Sequence, residues 1–251
     1  MNYKLDGISI SNYGARPATS GQCFALNGML DLPKRIGKTE HDWGTTVEPF
    51  VQSSDIQLDG RLLTLHVVVK AENLDAFKNA CIACKVLSTT YNSYDVVCRD
   101  EIKVRELGQY LFVQVDFWQN KYSLKPITII PSISGLFRLD GFDLKRDFGI
   151  SIAQSNNLLN TAKRIDVGTT EFYEKTNYRG LREISLRCSM IGNSFADVHN
   201  KMNQFQSLIM APGMRTLATP KKILSLYFKD GIVVNIVRPN ILQFTLKGIS
   251  L

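Results

Sequence analysis

LLTLHVVVKAENLDAFKNACIACKVL, residues 62–87, sets a strand against a helix. In its first eight residues Leu63, Leu65, Val67 and Val69 fall on one face at period two, as in a strand with one side buried. From Ala71 the period changes. Leu74, Phe77, Cys81, Cys84 and Leu87 recur at spacings of three and four, a single apolar stripe on a helix. The same two patterns return later. EISLRCSM (183–190) puts Ile184, Leu186, Cys188 and Met190 at period two, and GNSFADVHNKMNQFQSLI (192–209) puts Phe195, Val198, Met202, Phe205, Leu208 and Ile209 at helical spacing. Asn193-Ser194 supplies the N-cap.

Working outward, further landmarks repeat in the same order. Leu5-Asp6-Gly7 recurs as Leu139-Asp140-Gly141, and Tyr13-Gly14 is answered by Phe148-Gly149. Lys34-Arg35-Ile36 recurs as Lys163-Arg164-Ile165, followed within ten residues by Trp43 in the first copy and Phe172-Tyr173 in the second. DEIKVRELGQYLFVQVDF (100–117) lines up with DGIVVNIVRPNILQFTLKG (230–248). The period is far longer than the 20–50 residues of solenoid repeats and has the size of a whole domain. The expected organisation is one domain over 1–120, a connector over 121–135 and a second domain over 136–251. Pro126 and Pro131 disfavour a helix or central strand in the connector. Ile127, Ile129 and Ile130 make it too apolar for a free tether, so it should run extended and packed on one or both domains.

The fold class read from this is mainly β (α+β), with two tandem homologous domains, each an antiparallel β-sandwich or barrel with one flanking helix. Each copy should open on a strand, Tyr3–Ile10 or Leu136–Leu144, pass through a looser region to the main strand and helix, and close with two or three strands turning near Gly108 or Pro239-Asn240. No alternating βαβ pattern points to a doubly wound nucleotide-binding fold. One-sided stripes imply helices that cap a sheet and are not buried all round.

Composition narrows function by exclusion. With 251 residues, 44% hydrophobic and 21% charged, the chain reads as an ordinary globular protein. No apolar run approaches the roughly 18 residues of a membrane helix, and the opening MNYKLDGISISNYG has no apolar core of a secretory signal. Five cysteines suggest reduced thiols. The charge is uneven: residues 1–125 hold 14 basic and 14 acidic side chains, and 126–251 hold 16 and 9, the whole net +7. A pI near 9.1 permits an acidic partner such as nucleic acid but does not demand one, and such a charge is more often a solubility feature.

Candidate chemistry is thin. Cys81-x-x-Cys84 lies on the apolar stripe, where the second copy has Met202 and Phe205, and no second pair completes a zinc site. His41-Asp42 sits in a polar loop that the second copy does not reproduce. His66 is expected on the outer face of its strand and His199 on the polar side of its helix. Nucleophile elbows, phosphate loops and paired carboxylates are absent from the sequence, so neither an enzyme nor a cofactor is expected.

The repeated Lys-Arg-Ile element admits two readings. Arg35 and Arg164 could contact phosphate or form ion pairs between subunits. Alternatively it is an edge strand whose Ile36 or Ile165 packs inward while the charges deter stray pairing. An interface role is preferred, with Lys34, Arg35, Trp43, Lys163, Arg164 and Tyr173 as its candidate residues.

DLPKRIGKTEHDWGTTVEPF (31–50), followed by LDGRLLTLHVVV (58–69), resembles the opening of a prophage-encoded distal-tail or tail-hub protein. The plan of both halves resembles the tube domain shared by tail-tube, distal-tail and baseplate-hub proteins of long-tailed phages and related contractile injection systems. That resemblance implies two packed antiparallel sheets with a flanking helix. It implies six domains in a ring whose sheets line a channel, with adjacent subunits joined edge to edge. A two-domain chain would form a homotrimer with pseudo-sixfold symmetry, with a homohexamer as the alternative. Its other partners would be further tail proteins, with DNA passing through without specific binding, and no membrane. The location implied is the virion tail, and the host cytoplasm during assembly. The chain departs from the distal-tail pattern in having no carbohydrate-binding-like domain after the first copy. A basic nucleic-acid-binding module is the rival reading, and a channel for DNA should not carry all of the excess positive charge on its wall.

Overall fold

The computed structural model describes residues 1–43, 47–156 and 182–250, together with the backbone of 164–168 and 173–177. The first half contains β1 (Lys4–Leu5), β2 (Ile8–Ser9), a 3-10 turn (Ile10–Tyr13), β3 (Arg16–Pro17), β4 (Leu26–Asn27), β5 (Arg35–Ile36), β6 (Glu40–Asp42), β7 (Val47–Pro49), β8 (Gln57–Leu58), β9 (Arg61–Val69), α1 (Leu74–Ala83), β10 (Val86–Ser88), β11 (Ser93–Asp95), β12 (Val97–Leu107) and β13 (Tyr110–Gln119). The second contains β14 (Arg138–Leu139), β15 (Phe142–Asp143), α2 (Leu144–Phe148), β16 (Ile150–Asn156), β17 (Arg164–Gly168), β18 (Tyr173–Asn177), β19 (Arg182–Ile191), α3 (Phe195–Ile209), β20 (Arg215–Ala218), β21 (Ile223–Tyr227), β22 (Val234–Arg238) and β23 (Ile241–Ser250). The protein is mainly β, and each of these strand pairings is antiparallel.

The main pairings of the first half recur in the second, although β4–β9 and β5–β8 have no counterpart among the described residues there. β1 pairs β2 and β10, as β14 pairs β15 and β20. β10–β11 is matched by β20–β21, and β12–β13 by β22–β23. The main strand β9 lies between β13 and β3, as β19 lies between β23 and β16. The registers agree as well: Val67 faces Val113 where Cys188 faces Phe244. A further difference is that β21 also pairs β23, fusing the second-half ladders other than β17–β18 into a single sheet of eight strands, whereas the first half keeps the matching strands in separate sheets of four and five, with β5–β8 and β6–β7 as two-stranded ladders apart.

Each opening strand expected from the sequence is a hairpin folded at Leu-Asp-Gly. Asp6 and Gly7 have φ of 45° and 85°, and Asp140 and Gly141 have 50° and 87°. Two successive left-handed residues make the tight turn that matches strand twist, and glycine tolerates its second position without strain. The aspartates then brace the neighbouring strand. Asp6 accepts from the amides of Lys85 (3.0 Å) and Val86 (2.8 Å), and Asp140 from the amide of Thr216 (2.7 Å) and the Arg215 guanidinium (2.8 Å).

The helices depart from the expected one-sided pattern in one case. α1 buries Phe77 and Cys81 and leaves Ile82 in solvent, while Cys84 is already extended and Leu87 belongs to β10. α3 is capped reciprocally: Ser194 accepts from the Asp197 amide (3.2 Å) and Asp197 accepts from the Asn193 amide (2.9 Å). From Gln204 to Met210, however, every residue is buried, so the C-terminal half of this helix is enclosed on all sides, while Ala196 and Asn200 in its first half are exposed. The cover is the connector and the first half. Gln204 accepts from the amides of Thr128 (2.7 Å) and Ile129 (2.9 Å), Gln206 donates to the Leu30 carbonyl (2.6 Å), and Ser207 donates to the Lys125 carbonyl. The polar stripe is buried because each of these groups has a partner. One continuous cluster of buried apolar side chains, from Tyr3 to Leu246, runs through both halves.

Candidate assembly interface

The halves meet along a seam built from backbone edges. The amide of Cys23 donates to the Ile236 carbonyl (3.2 Å) and the Gln22 side chain to the Val234 carbonyl (3.4 Å). Leu32 and Ile232 exchange both backbone bonds at 2.9 Å, and the Arg35 amide donates to the Lys229 carbonyl at 2.9 Å. Gly231 permits this approach, because a β-carbon there would stand 2.3 Å from the Leu32 carbonyl oxygen. β22 of the second half is therefore covered by residues 22–32 of the first.

Two charged groups are built into the seam. Asp31 accepts from the Val234 amide (2.8 Å), and burial raises its carboxyl to about 6 despite that bond and the nearby Arg61. Arg61 is buried, donating to Gln119 (2.8 Å) and to the carbonyls of Asp31 (2.8 Å) and Met29 (3.2 Å). Its guanidinium carbon lies 5.3 Å from the ring centre of Tyr94 and 4.7 Å from that of Tyr122. A second polar contact joins the β6–β7 hairpin to the second half. Glu40 accepts from Lys229 (2.8 Å) and from the Tyr227 hydroxyl. Burial opposes ionisation of Glu40, and these two bonds outweigh it and hold its carboxyl below the ordinary range.

Of the six sequence-predicted residues, three are described with their side chains. Arg35 is buried: its guanidinium donates to the carbonyls of Phe50 and Asp55 and so ties residues 50–55 to β5. Its neighbour Ile36 is exposed, the reverse of the edge-strand reading, because the pairing of Arg35 with Leu58 turns alternate side chains the other way. Lys34 is exposed. Trp43 is 62% exposed, its indole N–H donating to Glu48 (3.2 Å) and its ring 4.0 Å from that of His41. Lys163 lies outside the described residues. Arg164 and Tyr173 stand on the β17–β18 ladder, where only the backbone is described.

The remaining candidates look structural. Burial pushes the Cys81 thiol far up and the Cys84 thiol to about 11, which suits packed hydrophobes. His66, expected outside, is 4% exposed and stacked on Phe112. His199, expected on a polar face, packs between Phe195 and Tyr91 of the first half, and burial, with Arg61 and Lys125 adding to it, lowers it to about 4. His41 contacts Lys38 Nζ at 2.8 Å. Among the described residues no group of three His, Cys, Asp or Glu side chains is placed to hold a metal, and no helix is long and apolar enough to cross a membrane. A cleft of about 640 Å³ opens on the outer face of the second-half sheet, with Arg187, Gln243, Thr245 and Lys247 in its lining. Asp31, Arg61, Gln204 and Gln206 went unnoticed in the sequence. The cluster of Asn203, Gln204, Gln206 and Ser207 at the end of the α3 stripe was the available signal for a polar partner.

Fold and seam thus define a mainly antiparallel β protein whose two halves are locked edge to edge. No family model matches the chain and no curated protein matches it. A search of solved structures aligns it with the SPP1 Dit (gp 19.1) protein, described as a hub adsorption apparatus in Gram-positive infecting phages, over 98% of each chain at 11% identity and a TM-score of 0.29. A TM-score of that size carries no argument about fold or function.

Proposed function

We propose that the chain is a non-enzymatic structural component of a phage or phage-like tail, built as two copies of one β-plus-helix unit and assembling into a ring around a central channel. The observation that supports the reading is the recurrence of the main strand pairings between residues 1–119 and the described part of 138–250. A duplicated unit whose halves join through two different edges has the geometry of a head-to-tail contact, and such contacts close into rings when the rotation permits. The resemblance of residues 31–69 to tail proteins supplies the setting. Light-scattering mass together with electron microscopy of the purified protein tests this. Annular particles of three times 28.3 kDa are expected, with six times as the alternative, and a strict monomer at high concentration overturns it.

A nucleic-acid-binding module is the second reading, favoured by Arg187 and Lys247 in the cleft. It requires DNA binding that weakens steeply with salt, and absence of binding at low salt removes it.

A further inference from the structure

We propose that β12 of one chain adds to the β16 edge of a second copy, repeating between chains the seam that joins the halves within one. This rests on the assembly reading above and names the surfaces it would use.

The argument starts from matched positions. Val104 faces Val113, and Val113 faces Val67; Val234 faces Phe244, and Phe244 faces Cys188. Val104 therefore occupies in the first half the place of Val234 in the second, and Glu106 the place of Ile236. Val234 and Ile236 are each 1% exposed, because residues 22–32 lie over that edge. Val104 is 39% exposed, although it stands directly across from the wholly buried Val113. The same strand position is closed in one half and open in the other. Among the described residues β12 has β13 as its one ladder partner, which leaves the other edge of an eleven-residue strand without a pairing there, an arrangement that invites strand addition.

The receiving side shows the same asymmetry. In the first half the seam lies beside β3 and β4, where Leu26, opposite Leu65, is fully buried. The matching place in the second half is Ser155, opposite Leu186 on β16, and it is exposed. Beside β16 runs a groove of about 370 Å³ whose apolar wall is Leu136, Phe137, Ile150 and Ile152. The exposed β16 side chains Ser151, Gln154, Ser155 and Asn156 are neutral, and the two charged residues lining the groove, Asp143 and Lys145, are of opposite sign, which suits the mixed charges of Arg99, Glu101, Lys103 and Arg105 on β12. Applying the internal relation of first half to second once more places the β12 edge of a second copy on β16. A second copy of this chain is thus the occupant that both open edges fit, through two different surfaces.

Val104→Asp and Ser155→Asp test the pairing, with mass measured by native mass spectrometry and folding checked by circular dichroism. Each variant alone should associate at least ten-fold more weakly than wild type. An equimolar mixture should form heterodimers and stop there, because one intact β12 then meets one intact β16. If both variants assemble like wild type, the pairing is wrong and the ring reading survives. If the mixture stays monomeric, the two edges do not meet each other. A monomeric wild type overturns the assembly reading and the pairing with it. Should Val104→Asp fail to fold, Leu107→Asp, at an exposed end of the same strand, takes its place.

Discussion

Asp31 accepts the Val234 amide proton inside the seam, and burial has moved its carboxyl from 3.8 to about 6. Between those values the folded chain holds a proton that the unfolded chain has released, so stability falls as pH rises through this window and is lowest above it. Asp31→Asn keeps an acceptor and removes the charge. Urea melts should show the variant more stable at pH 8, by about 1–3 kcal/mol, with the gain fading below pH 4. A gain independent of pH would assign the effect to packing. At this scale the sequence reveals little. Arg35 and Ile36 form a two-residue strand, too short for periodicity to say which side chain turns inward, and the deciding carbonyls of Phe50 and Asp55 come from a later loop. His66 likewise alternates correctly with its apolar neighbours, yet Phe112 from another strand covers it.

Elements were far more readable. β9, β19 and the apolar faces of α1 and α3 all follow from period-two and helical spacing, because these patterns are set by local geometry. The second face of α3 escaped because its cover comes from distant sequence, with Gln206 bonded to a carbonyl 176 residues away. The Leu-Asp-Gly turns repeat visibly in the sequence, but the short strands on either side of them do not show, since two-residue strands leave no alternation to follow. The α3 cap can be tested directly. Ser194→Ala removes the acceptor for the Asp197 amide and should cost about 1 kcal/mol in thermal or chemical unfolding.

At the scale of the molecule, the buried cluster common to both halves predicts joint unfolding. The chain has two tryptophans, Trp43 and Trp118, both in the first half. Tryptophan fluorescence therefore follows that half, while far-ultraviolet circular dichroism follows the whole chain. The two melts should coincide; separate midpoints would show that the halves come apart before either unfolds. The proposed ring draws on the same geometry, since the edge closed inside one chain is the edge left open at its end.

The seam also bears on synthesis. Its bonds span up to 213 residues, from Cys23 to Ile236, and the Leu30 carbonyl waits for Gln206. A nascent first half emerges from the ribosome before these partners have been translated, so the Leu30 carbonyl, the Leu32 backbone groups and the Asp31 carboxylate stay without them until almost the whole message has been read. Chaperone attendance during that interval, and release once β22 appears, follow from the order in which the chain is made.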